Sequence, residues 1–394
     1  MSLPLSGYRV IEIAQIYAGP YCGLQLAHFG AEVIKIEPPG SGEFLRKRPP
    51  AKHGANYGFL MLNAGKKSVS LNLKDPRGRE ILFRLLADAD VVLENYAPGA
   101  LESLGLGYDD LAARFPRLVY ASSKGYGPDS RFAQLGAMDF TIQAASGIIS
   151  MTGYEDRPGV RVTAALIDTS TGMHLAAGIL AALLERERTG RGRKVEVAML
   201  DVCMPAINGA IGVVQDGYKI RRLGNRHSTA CPCNTYPCED GEIWIYCLTE
   251  AHWRQLARLM GREELLANPE YKDHQARYKI VDRMDAMVGE WSKTQRRDDL
   301  VRLLIANSIP CAPVREIAEV AADPELPARH VIRDGTIAEH DDIKVLGSAI
   351  KMSGLRGDEI APHVPELGED TNEVLQRLGV SAAELDALHR DGVI

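Results

Sequence analysis

The amino-acid sequence predicts an α/β protein with a large domain, built on a doubly wound and mainly parallel sheet, and a smaller α+β domain. Three observations support this class. The chain has 394 residues, more than the roughly 250–300 at which a single core stops growing. Its first 125 residues alternate apolar strand patterns with helical patterns, which indicates right-handed crossovers in a parallel sheet. From residue 224 onward, a hairpin pattern followed by helices replaces this alternation.

The N-terminal part repeats a unit of strand, helix and strand. Residues 8–13 and 31–36 have the apolar runs of strands, and residues 20–29 between them have helical spacing that ends at Gly30. The same alternation continues with helices at 76–87 and 108–115 and with strands at 91–94 and 118–122.

The middle of the chain is more apolar. A short strand near residue 162 is expected to lead into a helix over 173–184 that is apolar on every side and must therefore be buried. Residues 194–200 fit either a strand or the opening of a helix.

The Asp240-Gly241 pair predicts a β-hairpin over 233–247. We therefore expect a discontinuous large domain at 1–223 and 329–394, with a small domain at 224–328 between its two parts. Later elements are predicted as helices at 251–259, 278–291, 297–305, 371–378 and 382–389, and as strands at 343–346 and 349–352.

Composition and charge exclude several classes of protein. Hydrophobic residues make up 45% and charged residues 25%, as in ordinary globular proteins. No uncharged apolar run reaches the ~18 residues of a membrane span and no secretory signal is visible, so we expect a cytoplasmic protein without membrane contact. The formal charge of −6 argues against a nucleic-acid partner. Seven cysteines without paired zinc spacing predict reduced thiols and no metal.

Common nucleotide and hydrolase motifs are missing. The turn after the first strand reads Ala14-Gln-Ile-Tyr-Ala-Gly-Pro, without Gly-x-Gly-x-x-Gly, and neither Walker A nor Gly-x-Ser-x-Gly occurs. Three basic clusters remain, at residues 46–48, at 66–67 and at 221–226. They fit either a solvated surface or contacts to the phosphates of an adenine nucleotide or CoA.

Asp168 is the main candidate for chemistry. It lies where a predicted strand meets a buried helix, so it can cap the helix, or the helix N-terminus can keep its carboxylate ionised as a nucleophile. With an ordinary pKa of about 3.9 it would need no general base at neutral pH. Asp139 fits either a loop residue or a nearby polar partner.

Motifs that occur in order along nearly the whole chain resemble the class III CoA-transferases, the family that includes formyl-CoA transferase and carnitine CoA-transferase. The matching segments are Ala18-Gly-Pro, Phe29-Gly-Ala-Glu-Val-Ile-Lys-Ile-Glu, Gly40-Ser-Gly-Glu, Lys67-Ser-Val-Ser-Leu-Asn-Leu-Lys, Glu94-Asn-Tyr-Ala-Pro-Gly-Ala-Leu, Ala165-Leu-Ile-Asp-Thr-Ser-Thr-Gly, Gly224-Asn-Arg-His and Pro365-Glu-Leu-Gly-Glu-Asp-Thr-Asn-Glu-Val-Leu.

This resemblance implies a Rossmann-like large domain and an interlocked, ring-like homodimer. It also implies that Asp168 forms an aspartyl anhydride and an aspartyl-CoA thioester while CoA passes from an acyl-CoA donor to a carboxylic-acid acceptor. CoA and acyl-CoA are then substrates, and no cofactor is bound permanently. The implied CoA contacts are Tyr17, Ala18, Arg46, Leu71, Asn72, Leu73, Lys74, Asn95, Tyr96, Ala97, Met138 and Asp139. Arg226 and His227 of the small domain are candidates for contact with a substrate carboxylate.

Differences from the family define the alternatives. Tyr17 and Pro38 stand where formyl-CoA transferase has Gln and Arg, and Ser103 stands where many members have Arg, which argues against formyl transfer to oxalate. An α-methylacyl-CoA racemase needs paired bases, but Met138 occupies the position of its histidine and cannot transfer a proton. A non-catalytic acyl-CoA-binding protein is the remaining alternative.

Overall fold

The computed structural model describes residues 2–394, which form two compact units. The first comprises the chain up to Ile148 together with Arg161–Gly212 and Pro324–Ile394, and the second comprises Ile149–Val160 and Val213–Asp323. Both chain ends therefore belong to the same unit. The predicted domains 1–223, 224–328 and 329–394 stay a prediction, because compactness does not establish that a unit folds independently.

Strands and helices follow one another along the described chain. The strands are β1 (Arg9–Ile13), β2 (Glu32–Glu37), β3 (Ala51–Lys52), β4 (Ala55–Asn56), β5 (Lys67–Ser70), β6 (Val91–Glu94), β7 (Val119–Lys124), β8 (Lys194–Ala198), β9 (Cys233–Cys238), β10 (Gly241–Tyr246), β11 (Cys311–Val314), β12 (Ile332–Ile337) and β13 (His340–Leu346). The α-helices are α1 (Ala18–His28), α2 (Tyr57–Asn63), α3 (Pro76–Ala87), α4 (Tyr108–Arg114), α5 (Asp139–Ala145), α6 (Ile148–Met151), α7 (Leu166–Thr189), α8 (Met199–Cys203), α9 (Asn208–Gln215), α10 (Glu250–Leu259), α11 (His274–Lys279), α12 (Val281–Ser292), α13 (Arg297–Ala306), α14 (Ile317–Ala321), α15 (Glu325–Ala328), α16 (Thr371–Arg377) and α17 (Ala382–Arg390). Short 3₁₀ turns cover Glu102–Leu104, Pro205–Ile207, Glu263–Ala267 and Pro269–Tyr271.

The first unit is built around a six-stranded sheet in the order β5-β2-β1-β6-β7-β8, and every neighbouring pair is parallel. From β1 the chain moves outward through β2 and β5. It then crosses to the other side of β1 and continues through β6, β7 and β8. The direction of winding therefore reverses between β1 and β6. Open α/β sheets bind ligands at the carboxyl ends of the strands beside such a reversal.

Helices cover both faces of this sheet. On one face Ile11 and Ile34 belong to a core shared with α3, α4, α16 and α17. On the other face Val10 and Val33 pack with α1 and α7. Burial on both faces explains why consecutive residues such as Val10-Ile11 and Val33-Ile34 are apolar. The predicted α/β class with a parallel central sheet is confirmed.

The second unit contains the predicted hairpin. β9 and β10 pair in antiparallel register, with Tyr236 opposite Ile243, and β11 pairs with the other edge of β10. Buried residues of these strands form a core with Leu256 of α10, Val288 of α12 and Leu300 of α13. The predicted hairpin and the helices at 251–259 and 297–305 are therefore confirmed, whereas the helix predicted at 278–291 is interrupted at Ile280 between α11 and α12.

Helix α7 differs from its prediction in two ways. It begins at Leu166, so the strand expected near residue 162 is absent from the described structure and Asp168 lies within the first helical turn. Packing against α1 and the sheet overrides the turn-like Thr-Ser-Thr-Gly sequence. The helix is also not buried all round, since Leu166 and Leu184 are 51% and 68% exposed.

Helix α7 is the one helix within residues 2–394 whose length and composition would suffice to cross a membrane. In this fold its other face, which includes Leu175 and Ile179, is buried in the core that contains α1. Such burial is typical of a long apolar core helix.

The predicted strand at 349–352 is wrong. These residues have no regular secondary structure, and β13 pairs instead with β12, a strand that the pattern missed. A two-residue connection at 338–339 lets β12 and β13 form a local hairpin.

Candidate active site

A cavity of about 280 Å³ lies at the carboxyl ends of β1, β6, β7 and β8, where the winding reverses. Its walls come from the loops that follow β1, β6 and β7 and from the segment that leads into α5. Asp168 of α7 and Met199 of α8 complete the lining. The cavity thus occupies the position at which α/β folds of this kind bind ligands.

The start of α7 is capped by a residue from another helix. Asp139, the first residue of α5, accepts hydrogen bonds at Oδ2 from the backbone N–H groups of Ile167 (2.8 Å) and Asp168 (3.1 Å). Its Oδ1 accepts a hydrogen bond from the Gln143 amide at 2.5 Å. Asp139 therefore performs the capping role that the sequence left open for Asp168. Within residues 2–394 no hydrogen bond reaches the Asp168 carboxylate, which lines the cavity.

The ionisation of Asp168 differs from the sequence-based expectation. Burial, together with the negative charge of Asp139, raises the pKa of Asp168 to about 7. The expectation of an ordinary pKa was wrong because burial disfavours the charged form of Asp168, Asp139 accepts the N–H groups that could have stabilised it, and Asp139 adds a like charge. The carboxyl group therefore changes its charge much closer to neutral pH than an ordinary aspartate does.

The loop after β1 is held in a strained conformation beside the cavity. Ile16 has a φ of 69°, a left-handed value that β-branched residues rarely adopt. Its N–H donates to Oε2 of the buried Glu43 at 2.8 Å. The Asn95 side chain forms two hydrogen bonds with the backbone of Gln15. It accepts one from the Gln15 N–H and donates one to the Gln15 carbonyl oxygen, each at 2.8 Å. Side chains from two other segments thus fix the backbone that carries Tyr17.

Lys124 at the end of β7 places a cation at the cavity wall. Its Nζ donates to Oε2 of Glu94 at 2.8 Å and to the carbonyl oxygen of Tyr96 at 2.7 Å. The buried Glu94 also accepts hydrogen bonds from the Ser122 hydroxyl and from the Tyr96 N–H. An ammonium group has three donors, so Lys124 keeps one N–H for a ligand.

Many of the predicted site residues come together. The cavity is lined by Asp168 and by the predicted contacts Tyr17, Ala18, Asn95, Tyr96, Ala97 and Met138. Asp139 lies behind Asp168 and is 5% exposed. Residues 71–74 follow β5 at the same edge of the sheet but do not line the cavity. Among them, Leu71 is buried in the core and Lys74 is exposed.

The structure does not bring Arg46 to this cavity. Its guanidinium is buried against Glu37, with Nη2 2.5 Å and Nε 2.9 Å from the carboxylate oxygens, and it lies 4.0 Å from the centroid of the Phe59 ring. Lys66 is likewise buried, with Nζ 2.8 Å from Glu12 Oε2. Two of the basic clusters therefore contribute to buried ion pairs, a role that neither sequence-based interpretation included.

The candidate substrate residues of the second unit have local partners. Arg226 Nε lies 2.7 Å from Asp285, and its Nη2 lies 2.7 Å from Asp282. His227 Nδ1 accepts a hydrogen bond from the Thr229 N–H at 3.2 Å. The charge of Arg226 is balanced by these carboxylates, and contact of either residue with substrate stays a prediction.

Lys124 and Glu43 were missed by sequence reasoning. The strand ending in Lys124 was predicted to stop at residue 122; the alternation of Tyr120, Ser122 and Lys124 along one face could have extended it. Glu43 belongs to a matched motif, but its contact with Ile16 spans 27 residues, so no local pattern reveals it.

The fold and cavity define an α/β protein that presents an aspartate at the reversal point of a parallel sheet. The chain belongs to CoA-transferase family III, because the sequence model of that family matches residues 5–371. It is therefore an enzyme of the class that transfers CoA from acyl-CoA donors to carboxylic acids.

Two curated relatives match along their full length. The formyl-CoA:oxalate CoA-transferase of Streptomyces avermitilis is 34% identical over an alignment of 416 residues, and that of Escherichia coli O139:H28 is 33% identical over 424, with 100% of each chain covered in both comparisons. Among solved structures, a CAIB/BAIF family protein from Brucella suis superposes with a TM-score of 0.86 at 32% identity, covering 96% of this chain and 100% of the other. A hypothetical protein from Mycobacterium tuberculosis gives 0.81 at 30% identity, with coverage of 94% and 98%.

Proposed function

We propose that this enzyme moves CoA from an acyl-CoA thioester to a small carboxylic acid with Asp168 as the covalent nucleophile. The observation that carries the proposal is that the Asp168 carboxyl group faces the cavity while Asp139 caps α7 in its place. A carboxylate free of committed hydrogen bonds is available to attack a thioester carbonyl. Membership of CoA-transferase family III supports the same reaction class.

The proposed reaction has four steps. The Asp168 oxygen attacks the acyl carbonyl, the C–S bond breaks, and CoA thiolate leaves a mixed aspartyl anhydride. The thiolate then attacks the aspartyl carbonyl, which releases the donor acid with one Asp168 oxygen and forms aspartyl-CoA. The acceptor carboxylate attacks this thioester, releases thiolate and forms a second anhydride. Thiolate attack on the acceptor carbonyl gives the new acyl-CoA and returns Asp168 as a carboxylate. Covalent catalysis thereby divides one difficult exchange into easier steps.

The ionisation of Asp168 suits this role. Only the carboxylate attacks, and a carboxylate with a raised pKa is more basic and therefore a better nucleophile than an ordinary aspartate. Helix α1 has no side-chain cap, so the N–H groups of Ala18 and Gly19 lack acceptors within the helix. We assign these N–H groups to stabilise the negative oxygen of each tetrahedral intermediate.

We assign the reactive end of CoA to the wall formed by Tyr17, Ala18, residues 95–97 and Met138. Residues 71–74, at the same edge of the sheet, would meet a more distant part of the nucleotide. Asp139 acts in this proposal through Asp168 and not through CoA. Arg46 could contact CoA only after its ion pair with Glu37 opened, so we leave it outside the site.

The acceptor acid is proposed to differ from oxalate. The curated relatives are formyl-CoA:oxalate CoA-transferases, but Tyr17, Pro38 and Ser103 replace residues that the formyl enzyme or many family members use. At the cavity, this chain has the bulky phenol of Tyr17 where formyl-CoA transferase has the amide of a glutamine. A bulky aromatic wall together with Met138 favours an acid with an apolar chain.

The proposed assembly is the interlocked homodimer that the family resemblance implies. The exposed face of α7, with Leu166 and Leu184, supports it because it leaves apolar surface uncovered in a single chain. We also propose that the enzyme acts in the cytoplasm and that CoA and acyl-CoA are substrates with no permanently bound cofactor.

The decisive variant is Asp168→Ala. We expect it to abolish CoA exchange while CoA binding and the far-UV circular dichroism spectrum remain, because the change removes the covalent step and leaves the cavity walls intact. Asp88→Ala is the matched control, since Asp88 is exposed and lies outside the cavity. Turnover of Asp168→Ala close to that of the Asp88→Ala control would contradict the proposal.

Isotope labelling distinguishes CoA transfer from a racemase reaction. In D₂O, a 2-methylacyl-CoA should gain no enzyme-dependent deuterium at its α-carbon, because CoA transfer touches only the carbonyl group. An acceptor acid labelled with ¹⁸O should instead leave label on Asp168 and, one turnover later, in the released donor acid. Rapid α-deuteration without oxygen transfer would favour the racemase.

A further inference from the structure

Two hairpins of the first unit bring three potential metal ligands together at the surface. The β3–β4 hairpin turns at His53 and Gly54, which have φ values of 50° and 77°. Positive φ at both turn positions is the signature of a tight two-residue hairpin turn. In the β12–β13 hairpin, His340 and Asp342 lie two residues apart on β13. Alternate residues of a strand point the same way, so these two side chains share one face.

The ligand atoms of these residues converge. Those of His53, His340 and Asp342 all lie within 4.8 Å of one another. His53 Nε2 is 2.5 Å from Asp342 Oδ1, and the two imidazole rings stack with centroids 3.7 Å apart. Lys52 Nζ lies 2.7 Å from the other oxygen, Oδ2. Lys52 therefore orients the carboxylate so that Oδ1 faces the imidazoles.

We propose that His53, His340 and Asp342 form a binding site for a divalent transition-metal ion, best suited to Zn²⁺. Two imidazoles and one carboxylate are donors that Zn²⁺ accepts, with bonds of about 2.0–2.2 Å. A tetrahedral ion then needs donor atoms about 3.4 Å apart. The ion would replace the proton between His53 Nε2 and Asp342 Oδ1, now 2.5 Å apart, so this pair would open to the required spacing, and water would supply the fourth ligand. Mg²⁺ and Ca²⁺ prefer sites built of oxygen ligands.

The ion would join distant parts of the chain. His53 and Asp342 are 289 residues apart in sequence. Behind the site, β13 residues Ile343 and Val345 pack with Phe59 and Leu60 of α2. A metal that binds only when both hairpins are docked stabilises this packing. None of the three ligands lines the Asp168 cavity, so we assign the ion a structural role that is independent of CoA transfer.

The test uses the full chain without an affinity tag, after dialysis against EDTA. Calorimetric titration with Zn²⁺ should give one ion per chain, and Tm should rise until that stoichiometry is reached, whereas Mg²⁺ should leave Tm unchanged. His340→Ala should weaken Zn²⁺ binding about tenfold or more and remove the rise in Tm. His389→Ala, an exposed histidine outside the cluster, should retain both.

Two further variants remove the other ligands and serve if His340→Ala folds poorly. Asp342→Asn and His53→Ala should each weaken Zn²⁺ binding, while their circular dichroism spectra without metal match that of the wild type. Zn²⁺ binding that is unchanged in these variants, or that appears only at millimolar concentration in the wild type, would overturn the site.

Discussion

At the scale of single residues, two aspartates divide two tasks at the start of α7. Asp139 accepts hydrogen bonds from the N–H groups in the first turn of α7, whereas the Asp168 carboxyl group faces the cavity. Burial raises the pKa of Asp168 first, and the charge of Asp139 adds to the effect. The ionisation of Asp168 is therefore linked to the charge of Asp139.

This link predicts the effect of Asp139→Asn on the pH profile. The asparagine oxygen can still accept the backbone N–H groups, but the negative charge that raises the pKa of Asp168 is lost. The pKa of Asp168 should fall below about 7, and the acidic limb of kcat/KM should move to lower pH. Measurement of kcat/KM from pH 5 to 9, with Asp88→Asn as control, checks this. An unchanged limb, or a shift to higher pH, would show that Asp139 does not act through charge.

Arg46 provides a second residue-scale prediction. Arg46→Met should leave the buried Glu37 without its counter-charge and lower the free energy of unfolding by about 3–5 kcal/mol. Denaturant unfolding measures this loss. Arg48→Met, at an exposed neighbour, should change stability by no more than about 0.5 kcal/mol.

The ion pair between Arg46 and Glu37 makes the stability of the fold depend on pH. Burial opposes ionisation of Glu37, but the hydrogen bond and charge of Arg46 outweigh it and lower its pKa to about 2. The ion pair therefore stabilises the fold above the ordinary glutamate pKa, and this contribution is lost as pH falls toward 2.

One outcome of the Arg46→Met experiment would contradict a purely structural role for Arg46. Normal stability of Arg46→Met together with a raised KM for acyl-CoA would instead support a direct CoA contact.

At the scale of elements, the position of Asp168 depends on how closely α7 approaches α1. A Cβ atom on Gly172, one turn after Asp168, would lie 2.7 Å from the carbonyl oxygen of Ala18 and 3.0 Å from the Tyr21 ring. The backbone oxygen cannot move aside without moving α1. Gly172 is therefore required for helix packing and not for backbone conformation.

Gly172→Ala should push α7 away from α1 and misplace the Asp168 carboxyl group. We expect kcat to fall about a hundredfold, as for other displacements of about 1 Å at a reacting group. Gly209→Ala is the matched control, because Gly209 is also helical but a Cβ there meets no atom within 4 Å. Equal kcat values for the two variants would show that this contact does not position Asp168.

Sequence patterns revealed the elements better than the contacts between them. Strand β6 and helix α3 were predicted to the residue, because burial on the sheet and an Asp75–Pro76 helix start are local signals. The pKa of Asp168 is raised first by burial in the tertiary fold and then by Asp139, which is 29 positions away, and Arg46 pairs with Glu37 at a separation of 9. No periodicity encodes such pairs, so motif resemblance pointed to Asp168 and its neighbours as candidates but could not describe their electrostatics.

At the scale of the whole molecule, the C-terminal segment packs against the parallel sheet of the first unit. Asp370 and Thr371 accept hydrogen bonds from the backbone N–H groups of Ser68 and Ser70 in the edge strand β5. The final residues Val393 and Ile394 are buried in the core on this side of the sheet. The C-terminal segment therefore covers a sheet edge that would otherwise be open.

The proposed interlocked dimer makes a prediction at this scale. Linked rings cannot separate unless one chain unfolds, so dissociation and loss of circular dichroism should share one denaturant midpoint. Subunit exchange between differently labelled dimers, followed by native mass spectrometry, should be absent under native conditions. A folded monomer that exchanges at nanomolar concentration would contradict the interlocked arrangement.

In the proposed mechanism, Asp168 carries activated acyl and CoA groups during turnover. Incubation with acyl-CoA and hydroxylamine, without an acceptor acid, tests it directly, because hydroxylamine converts an aspartyl anhydride or thioester to a hydroxamate. We predict that peptide mass spectrometry finds the hydroxamate at Asp168 and not at Asp139 or Asp88, with activity lost in proportion. An unmodified Asp168 under conditions in which CoA exchange proceeds would contradict the account.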